Sequence, residues 1–199
     1  MHISEGVLSG GVLVAGWAGT LVGISIGLKK TETEKIVKTA LISSAFFLAS
    51  LVHIKIGVSS THLSLIAPVG LILGQAVFPA VFVALLLQAL LFHFGGLLVL
   101  GANTFTMAFS ALITHIIFSR LIRDSRKKFS LIFISFIAGT FAVIFAAFLT
   151  GLFLYFSDKN FINAIKILMF AHIPLALFEG IATAFLILWL KKVSPEFLS

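Results

Sequence analysis

The chain has 199 residues, 60% of them hydrophobic and only 11% charged, with a mean hydropathy of +1.19. So little polar material cannot clothe a water-soluble globule, so lipid is the solvent, and long unbroken apolar runs select a helix bundle over a barrel. The net charge of +7 is gathered in short clusters between apolar runs, which excludes a nucleic-acid surface, and the lack of cysteine excludes disulfides and thiolate metal sites.

Apolar segments able to cross a bilayer are predicted at 7–28, 36–54, 63–78, 80–94, 104–121, 131–156 and 167–190. This describes an all-α polytopic membrane protein of about seven transmembrane helices, forming a single domain over 1–199. The basic clusters are Lys29, Lys30, Lys35 and Lys38, then Arg120, Arg123, Arg126, Lys127 and Lys128, then Lys191 and Lys192. With seven spans all three fall on one side, which by the positive-inside rule is cytoplasmic, placing the amino terminus outside and the carboxyl terminus inside. Only Pro79 separates spans three and four. Both are short, and a re-entrant hairpin stays open there.

The mature chain is expected to start at Met1, because no basic stretch precedes the first apolar run as in a signal peptide. A free Met1 amine beside His2 is a chelator. The amine and the deprotonated His2 amide close a five-membered ring on a divalent cation, and that amide with the imidazole Nδ1 closes a six-membered one. Three nitrogens in one plane suit Ni(II) or Cu(II) better than Zn(II) or Mg(II). The plainer reading is an exposed terminal histidine.

Within span one, Gly11, Ala15, Gly19, Gly23 and Gly27 recur every four residues, a ridge that another helix backbone can approach closely. That helix belongs either to this chain or to a docking partner. Gly23-Ile24-Ser25-Ile26-Gly27 matches a nucleophile elbow in letters only, since no strand precedes it. After span two a polar break reads Gly57-Val58-Ser59-Ser60-Thr61-His62. On the predicted topology it shares a side with Met1, so His62 is placed to meet His2 and complete a four-nitrogen plane, with Glu5 the carboxylate nearby. An ordinary loop histidine is the alternative.

The stretch from His93 to Thr104 lies on that side too, and its glycines permit a tight backbone of the kind membranes accept where it lines a cavity. Asn103 or Thr104 orients an imidazole from behind, or Asn103 caps span five; Glu5, Thr61 and His93 are assigned the same supporting position around the ligands. In span seven Glu179 is costly as an ion unless paired or hydrated, and His172 lies two turns earlier on roughly the same face. A structural hydrogen-bonding role and an ion-coupling role both stand. His53 and His115 have no distinctive partner. No Gly-x4-Gly-Lys-Ser/Thr, paired carboxylates or nucleophile with base occurs, so the chain is expected not to be an enzyme.

Four ordered motifs carry a family resemblance: Met1-His2-Ile3-Ser4-Glu5-Gly6; Ser59-Ser60-Thr61-His62-Leu63; the run from Leu87 through Gly96 to Thr104; and Ala171-His172-Ile173-Pro174 through Glu179-Gly180. They resemble the CbiM/NikM family, the substrate-binding components of energy-coupling-factor transporters for cobalt and nickel. The resemblance implies a metal held by the Met1 amine, the His2 amide and imidazole, and His62. It also implies a transmembrane coupling subunit docking on the small residues of span one, two ABC-type ATPases, a small accessory membrane subunit, and the inner membrane of a prokaryotic cell. The transported Ni(II) or Co(II) is then the only ion or cofactor. The match is looser at Ser59-Ser60-Thr61 and Phe109-Ser110-Ala111, which leaves nickel against cobalt open. The competing function is a secondary transition-metal transporter coupled to protons or ions through Glu179, for which no inverted repeat is visible.

Overall fold

A computed structural model describes residues 3–31, 33–51, 53–56 and 59–198, with backbone alone at 33–34, 53–56 and 59–62. Among them the chain forms α1 (Gly10–Lys30), α2 (Thr33–Ser50), β1 (His53–Ile56), β2 (Ser59–His62), α3 (Ile66–Leu73), α4 (Val77–Phe92), α5 (Leu100–Asp124), α6 (Lys128–Ser157) and α7 (Ile162–Val193). The helices α1, α5, α6 and α7 and the apolar α3–α4 stretch are each long enough to cross a bilayer. The protein is therefore a multi-pass, helical membrane protein, as its composition predicts.

The predicted break at Pro79 is displaced to Gly74. Gly74 has φ +54° and ψ −120°, a conformation that only glycine adopts without strain. Before it, α3 runs in the direction of α5, with Gly70 against Ala111 and Gly74 against His115. After it, α4 returns beside α2, where Ser43 Oγ donates to the Ala80 carbonyl at 2.7 Å and Gln88 Nε2 donates to Ser50 Oγ at 2.6 Å. The pair is thus a helical hairpin, and the basic clusters stay at one end of the bundle. Pro79 falls in the first turn of α4, where its missing N–H costs nothing. At eight residues α3 spans only about 12 Å, less than half of a hydrocarbon core of about 30 Å. Extended chain supplies the rest of that pass. The predicted second helix likewise stops at Ser50, and β1 takes over part of its far end.

The small ridge of α1 is largely covered by this chain itself. A Cβ on Gly19 would meet the Phe105 ring at 2.6 Å, one on Gly27 would meet the Gln75 carbonyl at 2.7 Å, and Gly23 lies against the Phe78 ring. The docking assignment is corrected at these three positions, which serve internal packing. Gly11 and Ala15 are exposed, and a Cβ on Gly11 has nothing within 4 Å.

The α3–α5 contact leaves no room for a methyl group. A Cβ on Gly70 would sit 2.7 Å from the Ala111 carbonyl carbon and 3.0 Å from its Cα, and backbone cannot rotate away. Gly70→Ala is expected to cost about 1–3 kcal/mol, read as a lower unfolding temperature in detergent. An unchanged temperature would mean that α3 and α5 separate easily.

Candidate metal centre

The first described residue is clamped into the bundle. Asn103, in the first turn of α5, accepts the Ile3 N–H on Oδ1 at 2.9 Å and donates Nδ2 to the Ile3 carbonyl at 3.0 Å, both bonds being buried. A primary amide carries the same donor and acceptor as a peptide group, so the pair copies one rung of an antiparallel ladder. Ile3 packs with Leu8, Val99, Ala102 and Leu154. Two further bonds hold the segment: Glu5 N–H donates to the Gly95 carbonyl at 3.1 Å, and Leu98 N–H donates to Glu5 Oε1 at 3.0 Å. Gly96, at φ +114°, lies against the Glu5 carboxyl, so a side chain there would displace it. Trp17 Nε1 donates to the Leu98 carbonyl at 3.0 Å and Thr20 Oγ1 to the Gly101 carbonyl at 2.7 Å, fastening the same loop and the start of α5 to α1.

A second anchor lies just beyond His62. In the hairpin His53 pairs in register with His62, and Ile54 with Thr61. Ser64 and Leu65 follow, and Glu179 of α7 holds both. Its Oε1 accepts from the Ser64 N–H, from Ser64 Oγ at 2.7 Å and from the Leu65 N–H at 3.1 Å, while Oε2 accepts from the Leu65 N–H at 2.9 Å. Leu65 has φ +47° and immediately precedes α3, a left-handed conformation costing a branched residue about 1–2 kcal/mol. The carboxyl oxygens offset that cost by accepting the N–H groups ahead of the short helix. With Glu179 only 1% exposed, these donors give it the partners that a buried carboxylate needs.

Met1 and His2 lie outside the described residues, as do the side chains of Thr61 and His62. Of the predicted supporting residues, Asn103 and Glu5 are brought to the leading segment. The cap of α5 is Val99 rather than Asn103, whose amide is turned to Ile3 instead. His93, at φ +58°, ends α4; its N–H donates to the Gln88 carbonyl and the residue is exposed. His172 Nδ1 lies 2.7 Å from the Leu168 carbonyl of its own helix, and its buried Nε2 has no hydrogen-bond partner. Among the described residues no three His, Cys, Asp or Glu side chains gather as a metal site. Sequence reasoning missed Ser64 and Leu65, which carry no signal beyond their position after the polar break.

The family model described as CbiM, cobalt uptake substrate-specific transmembrane region, matches residues 2–197. A putative metal transport protein of Haemophilus influenzae is 38% identical, over 98% of this chain and 96% of its own length. A cobalt transport protein CbiM of Thermosynechococcus vestitus is 33% identical, over 96% of this chain and 79% of its own. Among solved structures, a transition metal transporter is similar at a TM-score of 0.74 and 27% identity, over 97% of this chain and 93% of that one. The S-component for biotin from an ECF-type ABC transporter shares the fold at a TM-score of 0.62 and 20% identity, over 85% of this chain and 100% of that one.

Proposed function

Because the chain belongs to the CbiM family of cobalt-uptake transmembrane regions, we propose that it is the substrate-binding membrane subunit of an ATP-driven energy-coupling-factor importer for nickel or cobalt ions. The observation that carries this reading is the double hydrogen bond between Asn103 and Ile3. It fixes the backbone at the residue next to His2, so a chelate built from the Met1 amine and the His2 amide and imidazole starts from an immobile base. His62 supplies the fourth nitrogen, and the Glu179 anchor two residues on holds its flank. A filled nitrogen plane leaves no position for a reacting ligand and suits carriage rather than catalysis. The chain then works with a coupling subunit, two ABC-type ATPases and a small accessory membrane subunit. The amino terminus faces outward and the basic clusters face the cytoplasm. Docking of the coupling subunit uses the uncovered face of α1, where Gly11, Ala15 and Ala18 are exposed.

Calorimetric titration of the purified chain with Ni(II) and Co(II) at two pH values tests the ligand set. A coordinated amide nitrogen must lose its proton at any pH in the range, so affinity falls at least about tenfold per pH unit on acidification, and faster once amine and imidazole also bind protons. From pH 7.5 to 5.5 a loss of more than about a hundredfold is expected. An affinity that does not change with pH would remove the amide from the site.

A further inference from the structure

At the end of the bundle that carries the basic clusters, a cavity of about 470 Å³ opens between α1, α2, the Gly74 turn and α5. Lys30, Lys35, Lys38 and Arg123 line it, and among the described residues no carboxylate does. Lys38 is fixed in the wall, its Nζ donating to the Phe197 carbonyl at 3.3 Å and lying 4.8 Å from the centre of the Phe197 ring. Glu196 is close enough to act on Lys38. The cavity therefore fits a ligand that brings negative charge.

Thr31 and Thr39 border this cavity and also a second one, an apolar groove of about 360 Å³ between α1, α2 and α4. Leu28, Ile36, Ala40, Phe47, Val83 and Leu87 form its walls. The hydroxyls there are already engaged: Ser43 Oγ donates to the Ala80 carbonyl at 2.7 Å and Ser44 Oγ to the Ala40 carbonyl at 2.9 Å. From Ile36 to Phe47 the groove follows α2 for about 16 Å, the depth of one leaflet of a core about 30 Å thick. A charged chamber at the membrane surface thus continues into an apolar channel of one leaflet's depth.

We propose that cavity and groove together bind one anionic glycerophospholipid. Its phosphate lies among Lys30, Lys35 and Arg123, and one acyl chain lies along the groove. A basic pocket between helices at the cytoplasmic surface is suited to such headgroups. Free phosphate has nothing to place in the groove, and a zwitterionic lipid cancels its own charge against the lysines. The inference needs only the membrane placement of the chain and is independent of the metal ligands.

The test uses the full chain, delipidated in detergent and titrated with phosphatidylglycerol, phosphatidylcholine or glycerol phosphate, read by native mass spectrometry and by unfolding temperature. One phosphatidylglycerol per chain is expected to stay bound and to raise the unfolding temperature, as any ligand of the folded state does, while phosphatidylcholine does neither. The Lys30→Ala/Lys35→Ala/Arg123→Ala chain is expected to bind phosphatidylglycerol about a hundredfold more weakly. Ala40→Trp, which fills the groove and spares the charges, is expected to weaken it at least about tenfold, both variants unfolding like the parent when lipid-free. Equal retention of the two lipids, binding unaffected by Ala40→Trp, or glycerol phosphate binding as well as phosphatidylglycerol would each overturn the proposal.

Discussion

Placing three glycines before Met1 is expected to abolish high-affinity metal binding while leaving the fold intact. The extension moves the charged amine away from the His2 amide and opens the five-membered ring. Four donors sharing roughly 10–16 kcal/mol supply about 3 kcal/mol each, so losing one costs at least about a hundredfold in affinity. A single added residue is a poorer test, because amine, two amides and imidazole would then fill the plane by themselves. Ile3 and its bonds to Asn103 are untouched by the extension, so the unfolding temperature without metal is expected to hold. Calorimetry on the extended chain decides the matter, and full affinity there would remove the terminal amine from the ligand set.

Glu179→Ala is expected to lower stability by about 3–5 kcal/mol, because it strands the Ser64 N–H, Ser64 Oγ and the Leu65 N–H in a buried position. It also frees the segment behind His62, so metal affinity falls with it. Glu179→Gln keeps one acceptor oxygen and is expected to lose less on both counts. The same pair of variants separates an anchor from an ion-coupling carboxylate. A coupling residue replaced by glutamine loses proton-driven uptake at unchanged stability, whereas an anchor loses stability and affinity in step. Thermal unfolding and metal titration of both variants discriminate the two, and a Glu179→Ala chain as stable as the parent would end the anchoring role.

Hydropathy and charge were enough to read the helical membrane class, most of the long spans and the common side of the basic clusters, since each follows from local composition. The end of α2, the turn at Gly74 and the register of the 53–62 hairpin were not legible. Pro79 is the stronger letter in a helix-breaking sense, yet a proline in a first turn is harmless, and what reverses the chain is the backbone angle of Gly74, which hydropathy does not carry. The spacing of Gly19, Gly23 and Gly27 told that something approaches closely. It did not tell that Phe105, Phe78 and Gln75 are what approaches. That Asn103 and Glu5 stand near the amino-terminal segment was legible because polar residues next to a membrane boundary are few, but that Asn103 would bond the Ile3 backbone was not. The partners of Glu179 were not, since 115 positions separate it from Ser64 and only the packed bundle brings them together.

The ammonium of Lys191 donates to the carbonyls of Ile122, Arg123 and Ser125 at 2.7, 3.1 and 2.6 Å, riveting the tail of α7 to the tail of α5. α5 also holds Ile3 through Asn103 at its opposite end, and α7 holds Ser64 through Glu179 near its middle, so a single ammonium ties together the two helices that anchor the amino-terminal segment and the chain leading into α3.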